Sequence, residues 1–310
     1  GGDLMAIASV QAYLNGTWYT LNYNSATGKY EATLTAPGTT SYNQPNNVYA
    51  MQIKATNTAG TAKTIGTTDP TFGNLLKLRV LEKVKPTISI TSPGAGSYVT
   101  NSKQPIVFQL RDESGGSGIK LSSLTLQIDS STAVGSESAG MVCTAVTNGY
   151  NCTYTPPTAL SDGPHTVKIN VSDNDGNTAT QASRTYTIDT VPPTLNVTNP
   201  PNDFLTNNAT MVVQGTTNDA TSSPVTVTIK LNNVDQGAVN VSSGSFSKSI
   251  TLAEGSNTIV VTAKDAANKT STVTITGTLD SSVPVISSVS ITPNPADTGQ
   301  TMIISVGVVS

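Results

Sequence analysis

The chain has 310 residues, a length that fits about two or three domains, with a formal net charge of −3 and only 11% charged residues. It carries no run of Lys or Arg, and its apolar runs, such as the one around Met302 to Ile304, are far too short to span a bilayer. These features exclude phosphate-backbone binding to nucleic acid and a membrane span as working expectations. Thr (50) and Ser (34) make up 27% of the chain, aromatics make up 5%, and Val, Thr and Ile dominate the periodic stretches. β-branched side chains are stiff in a helix and pack well on a pleated surface, so the composition predicts an all-β protein.

Residues 1–85 carry three strand-like stretches, "IASVQAYLNG", "GKYEATL" and "VYAMQIKATNTAG". This segment also holds the single Trp and six of the ten Tyr. Flat amphipathic rings suit stacking on sugars, which makes Trp18, Tyr19 and Tyr23 candidates for a carbohydrate platform. Cross-strand packing and core filling is the plainer role for the same side chains.

Residues 86–191 follow a Pro-containing linker, "VLEKVKPTISITSP" (80–93). The strand-like order is "QPIVFQLRDE", a Gly/Ser loop, "SSLTLQID", a hairpin, "GPHTVKINVSD", the turn "NDGN" and "TATQASRTYTID". The hairpin, "MVCTAVTNGYNCTY", contains both cysteines. A loop spanning Val146 to Gly149 places Cys143 opposite Cys152, whereas a two-residue Asn148-Gly149 turn places Cys152 opposite Ala145. A Cys143–Cys152 disulfide implies an oxidising, extracytoplasmic setting; two buried thiols are the alternative. The one histidine, His165, lies near Ser161 and Asp162, but no glycine-framed nucleophile turn accompanies it, and strand-entry packing is the expected role. Phosphate loops, metal-type Cys/His clusters and dinucleotide glycine patterns are missing, so the chain is not expected to be an enzyme.

Residues 192–283 repeat that order after "IDTVPPTLNVTNP", with "ATMVVQGTTND", "VTVTIKLNN", "GSFSKSITL", "GSNTIVVTAKD", "AANK" and "TSTVTITGTLD". Roughly seven short alternating strands in each unit indicate a two-sheet sandwich. The stretches in residues 1–85 match only the later part of this order, and the first two strands are absent. Residues 284–310, "PVISSVSITPNPADTGQTMIISVGVVS", supply those two strands and nothing after them. The expectation is therefore tandem sandwiches, one of them split between residues 1–85 and 284–310.

This order, with the phrases "IDTVPPTL" and "VVTAKDAANK", resembles the bacterial immunoglobulin-like repeats of surface proteins and adhesins. The resemblance covers nearly the whole chain. It implies immunoglobulin-like β-sandwiches at the cell surface, in a stalk, adhesin segment, filament subunit or enzyme appendage.

Two unpaired strands with "TMIISVGVV" present apolar side chains and open backbone groups, so Thr301, Ile303, Ile304, Val306 and Val308 form a candidate strand-donor segment. Three sandwiches in a row would hold the two ends on the order of 100 Å apart, given strands rising about 3.3 Å per residue. Two completions are then expected. Either the tail of one molecule completes the head of the next as a head-to-tail homopolymer, or flanking repeats of the same chain complete it; a compact ring or dimer is the third option. Sandwich topology also gathers carboxylates beside each incoming linker: Glu82, Asp112, Glu113, Asp173 and Asp175 at the first, Asp189, Asp219 and Asp265 at the second, and Asp280 with Asp3 at the split one. Such oxygen sets could take Ca²⁺, against an alternative of solvated polar turns, and no other cofactor is expected. The leading functional expectation is a filament or stalk segment. An adhesin or surface-glycan-binding region, or accessory domains of a larger secreted enzyme, are the alternatives.

Overall fold

The structure, a computed structural model, describes residues 6–309. No α-helix occurs among them, and no helix is long and apolar enough to cross a membrane. The chain divides into two compact units, residues 1–97 with 102–186 and residues 98–101 with 187–310.

The first unit begins with β1 (Ile7–Leu14), β2 (Thr17–Asn24), β3 (Lys29–Glu31), β4 (Tyr49–Ala50), β5 (Gln52–Asn57), β6 (Ala62–Ile65) and β7 (Lys77–Leu78). Five of these form one sheet, β3-β2-β1-β5-β6, and β4 pairs only with β7. Opposed residues of an antiparallel ladder share a face. The pairs Val10↔Leu21, Ala12↔Tyr19, Ala12↔Ile53 and Ile53↔Ile65 therefore define one apolar face of this sheet. That face is thinly covered. Among residues 6–85 the buried hydrophobic side chains are Ala12, Leu14, Tyr49 and Leu76.

Next along the chain come β8 (Thr87–Ser92), β9 (Tyr98–Val99), β10 (Ile106–Arg111), β11 (Ile119–Ile128), β12 (Met141–Val146), β13 (Gly149–Tyr154), β14 (Gly163–Asp173) and β15 (Ala182–Ile188), all but β9 and the last two residues of β15 in the first unit. One sheet runs β12-β13-β10-β8 and the facing one contains β11-β14-β15. The two-residue period writes the core directly into the strands. Ile106, Phe108 and Leu110 of β10, and Val167, Ile169 and Val171 of β14, are buried at alternate positions. In the hairpin, Val146 pairs with Gly149 and Cys143 with Cys152, the register that allows the disulfide, and the Cys143–Cys152 bond is present. The second unit includes β9, which pairs in parallel with Thr187 and Ile188.

The rest of the second unit holds β16 (Thr194–Asn199), β17 (Phe204–Thr206), β18 (Thr210–Asn218), β19 (Thr226–Leu231), β20 (Val234–Asp235), β21 (Val241–Ser242), β22 (Ser245–Thr251), β23 (Gly255–Lys264) and β24 (Thr270–Leu279). They make the sheets β16-β18-β22-β21 and β17-β24-β23-β19-β20. Val213, Phe246 and Ile250 meet Ile229, Ile259, Val261 and Ile275 in one core. Gly277 permits a close approach there, because a Cβ added to it would come within 2.2 Å of the Phe204 ring. After this sandwich come β25 (Val285–Thr292) and β26 (Ile303–Val309), which pair with each other as a two-stranded sheet. None of their side chains is buried.

Two consequences for stability follow from the middle sandwich. The Tyr186 hydroxyl is buried without a hydrogen-bond partner, and burial, with the Asp129 charge, pushes its pKa up to about 12. Removing an unsatisfied buried polar atom is neutral or favourable, so Tyr186→Phe should raise stability by up to about 1 kcal/mol in urea unfolding, and a clear loss would show that the hydroxyl is satisfied. Reducing the disulfide, whose cysteines are nine residues apart, should cost this sandwich about 2–3 kcal/mol while leaving the unfolding of the second unit unchanged, as read by denaturant titration with and without reductant.

Candidate functional site

The alternation that builds each core does not stop at the strand end. Continuing the inward positions Ile106, Phe108, Leu110 by two residues reaches Asp112, and continuing Val167, Ile169, Val171 reaches Asp173. In the second unit, Val213 and Thr217 lead to Asp219, while Ile259, Val261, Ala263 lead to Asp265. Carboxylates are thereby held at the edge of an apolar core, where water is scarce. Asp112 is 8% exposed, Asp173 0%, Asp189 0%, Asp219 9% and Asp265 4%.

In the first unit, oxygens of Glu82, Asp112 and Glu113 lie within 4.8 Å of one another. Each of the three also has a buried oxygen with no hydrogen-bond partner: Glu82 Oε2, Asp112 Oδ1 and Glu113 Oε2. Two of their other oxygens are held in place, since Asp112 Oδ2 accepts from the Gly118 N–H at 2.7 Å and Glu82 Oε1 accepts from the Ser117 N–H. Burial, together with the charges of Glu82, Asp173 and Asp175, pushes the Asp112 carboxyl above its usual range, against the lowering effect of the Gly118 N–H. Asp173 and Asp175, the other two calcium candidates here, lie outside this group of three. Asp173 Oδ1 accepts from the Gly176 and Asn177 N–H groups, and Oδ2 accepts from the Asn177 amide at 2.7 Å, so this carboxylate holds its own hairpin turn. Asp175 Oδ2 accepts from the Thr40 hydroxyl and from the Glu82 N–H at 3.1 Å.

In the second unit Asp189, Asp219 and Asp265 converge within the same 4.8 Å limit, all three buried. Asp189 accepts from the Ser222 hydroxyl and the Val191 N–H, and Asp219 accepts from the Thr221 and Ser222 N–H groups. Asp265 Oδ1 accepts from the Lys269 N–H at 2.8 Å, leaving its buried Oδ2 without a partner. A buried, unpartnered carboxylate oxygen is costly, and a cation is one group that relieves it. Donor sets made only of oxygen suit hard cations such as Ca²⁺ or Mg²⁺ rather than Zn²⁺. Asp280, expected to pair with Asp3 at a third junction, is exposed and accepts from Ser282, while Asp3 lies outside the described residues.

The aromatic candidates do not form one platform. Trp18 is opposite Tyr13, with ring centroids 5.3 Å apart, on one face of the β1–β2 ladder. Tyr19 and Tyr23 lie on the other, apolar face, where Tyr23 packs on Tyr30 at 5.3 Å. His165 is likewise a structural pin. Its Nδ1 meets Asp129 Oδ2 at 2.7 Å and its Nε2 meets the Ser161 carbonyl at 2.8 Å, so neither the Ser161 hydroxyl nor Asp162 forms a catalytic relay with it. Asp129 and Ser222 are partners that the sequence offered no spacing signal for.

The tail is the third candidate. Pairs Ile286↔Val308, Val289↔Val306 and Ile291↔Ile304 put six aliphatic side chains on one face, all exposed by 42–65%. The other face carries Ser288, Ser290, Ser305, Gly307 and Thr292 but also Val285, Ile303 and Val309, and Thr301 precedes the strand.

Residues 94–190 match the model of a bacterial Ig-like domain, and residues 193–281 match the model of glucodextranase, domain B. No curated protein matches the sequence. Similar solved structures include the I-band fragment I67-I69 of titin, at 13% identity, covering 87% of each chain, with a TM-score of 0.46. The fibronectin(III)-like modules of Clostridium thermocellum CbhA match at 15% identity over 62% of this chain and 94% of theirs, with a TM-score of 0.37. Dimeric latent PorU from Porphyromonas gingivalis matches at 13% identity over 89% of this chain and 30% of its own, with a TM-score of 0.29. The matched segment 94–190 and the paired antiparallel sheets are consistent with bacterial immunoglobulin-like repeats, which this chain resembles.

Proposed function

We propose that this chain is a structural segment of an extracellular stalk or filament, in which residues 284–310 of one copy complete the partial sandwich of residues 1–85 in the next. The observation that carries this reading is the β25–β26 hairpin, a ready half-sheet with one aliphatic face uncovered. The head supplies the complementary lack. Ile53 and Ala55 pair with β1 as Val261 and Ala263 pair with β19, yet the latter two are fully buried and the former two are only half-buried. Covering the six tail aliphatics would contribute on the order of 5–9 kcal/mol before the ordering cost of association. A contact between two different surfaces of one chain propagates as a fibre whenever its rotation does not close into a ring. The disulfide and the bacterial Ig-like architecture support the extracellular location.

In this reading the two carboxylate clusters bind Ca²⁺ beside the linkers and stiffen the array, with Glu82, Asp112 and Glu113 at one site and Asp189, Asp219 and Asp265 at the other. The match of residues 193–281 to a domain named from glucodextranase favours a second reading, accessory domains of a secreted enzyme.

The assembly is tested by light scattering and electron microscopy of residues 1–310. Long fibres that disappear on deletion of residues 284–310 are expected, and a monomer at all concentrations would overturn assembly between copies. Calcium is tested by calorimetric titration and melting. Binding heat and a stability gain of about 2.7 kcal/mol at 100 times Kd are expected. Asp265→Asn should abolish the second-unit response yet stabilise the metal-free protein by about 1–2 kcal/mol, because an amide can donate to the neighbouring carboxylates. No heat and no rise in Tm would remove the calcium reading.

A further inference from the structure

The two complete sandwiches show which edge the tail would use. In the second unit β16 pairs with β18, and the far edge of β18 pairs with β22 over Thr210–Thr216 and Ser245–Thr251. In the middle sandwich β8 pairs with β10, whose far edge pairs with β13 over Ile106–Arg111 and Gly149–Tyr154. In both, the second strand of the opening hairpin is bracketed by the first strand and by the strand that follows a later tight turn.

The head contains that later strand without its partner. The β2–β3 hairpin, with Tyr23↔Tyr30 and Asn24↔Lys29, reproduces the β21–β22 hairpin, with Val241↔Phe246 and Ser242↔Ser245. Both turns contain a glycine with positive φ, Gly28 at 68° and Gly244 at 76°. From there "KYEATLTA" (29–36) runs parallel in sequence to "SFSKSITL" (245–252), so Tyr30 stands for Phe246 and Leu34 for Ile250. Phe246 and Ile250 are buried, whereas Tyr30 and Leu34 are only half-covered. Strand β3 stops at Glu31, and residues 32–36 join no ladder, although the matching residues of β22 are laddered to Thr251. The free edge of β3 and its continuation is the acceptor that the fold leaves open.

Strand β26 is the matching donor. One of its edges pairs with β25 and the other is open. Its inward face is also set. In the complete sandwiches the residues that oppose the apolar first-strand positions are inward, as Phe108 opposite Ile90 and Gly215 opposite Val197. The corresponding tail residues are Ile304 opposite Ile291 and Val306 opposite Val289. We infer that the open edge of β26 pairs antiparallel with residues 29–35 of a second copy, placing Val306 beside Tyr30 and Ile304 beside Ala32 on the inward face and leaving Ser305 on the solvent face with Lys29, Glu31 and Thr33. This rests on the proposed completion of the head by a tail and adds the edge, the direction and the face.

The test separates the two levels. Full-length Ser305→Cys is mixed with full-length Lys29→Cys, Glu31→Cys or Thr64→Cys, the last on the opposite edge strand β6, under mild oxidation. Association is read in parallel by light scattering of the same mixtures under reducing conditions. The expected result is a mixed disulfide with Lys29→Cys or Glu31→Cys and none above background with Thr64→Cys, because only cysteines whose Cα atoms come within about 7 Å can bridge. Association with crosslinking at Thr64→Cys, or at none of the three, would overturn this edge assignment while preserving head-to-tail assembly. Absence of association would overturn both. A Ser305→Cys/Glu31→Cys double variant that crosslinks as a monomer would replace the second copy with the same chain as the occupant.

Discussion

A β-sheet with one apolar face is stable in water only when a second layer covers that face, and the architecture of this chain follows from that requirement. Where both layers are present, the strands need little else. In β18 and β23 simple alternation delivers Val213, Ile259, Val261 and Ala263 to a closed core. Where one layer is short of strands, as in the sheet β3-β2-β1-β5-β6, the same alternation yields Ile53, Ala55 and Leu21 that remain half-exposed. The tail has the converse defect, a hairpin with an aliphatic face and no layer opposite it.

The period of two also explains the carboxylate clusters. A strand that buries every second residue continues to point inward for one step beyond its last core residue, and here that step is taken by Asp112, Asp173, Asp219 and Asp265. Aspartate at such a position is too buried to be solvated as a surface acid, so each oxygen needs a donor. Asp173 finds three donors inside its own turn and is locally satisfied. Glu82, Asp112 and Glu113 each retain an oxygen without one. The difference between a turn-holding acid and a candidate ligand lies in that count of donors, which adjacent residues of similar type do not share.

Much of this was legible in the sequence. Alternation with Val, Thr and Ile indicated strands, and the disulfide followed from one of the two hairpin registers open to "MVCTAVTNGYNCTY". The convergence of Asp189, Asp219 and Asp265 was legible too, because sandwich topology fixes which loops share an end. Other features were not. Trp18 and Tyr19 are adjacent in sequence, but adjacent strand residues face opposite ways, and the ladder puts Trp18 with Tyr13 instead. His165 takes Asp129 rather than Asp162 because β11 and β14 are neighbours in the sheet, a pairing 36 residues long in the chain.

The all-β class, the order of strands along the chain and the face each strand turns inward follow from residue order, because they depend on local propensity and on a period of two. Which buried carboxylates keep a free oxygen, which aromatics share a face and which edge of β3 stays open emerge once the strands are assembled. Those properties depend on hydrogen-bond donors and strand partners brought from distant parts of the chain, and residue spacing carries no record of them.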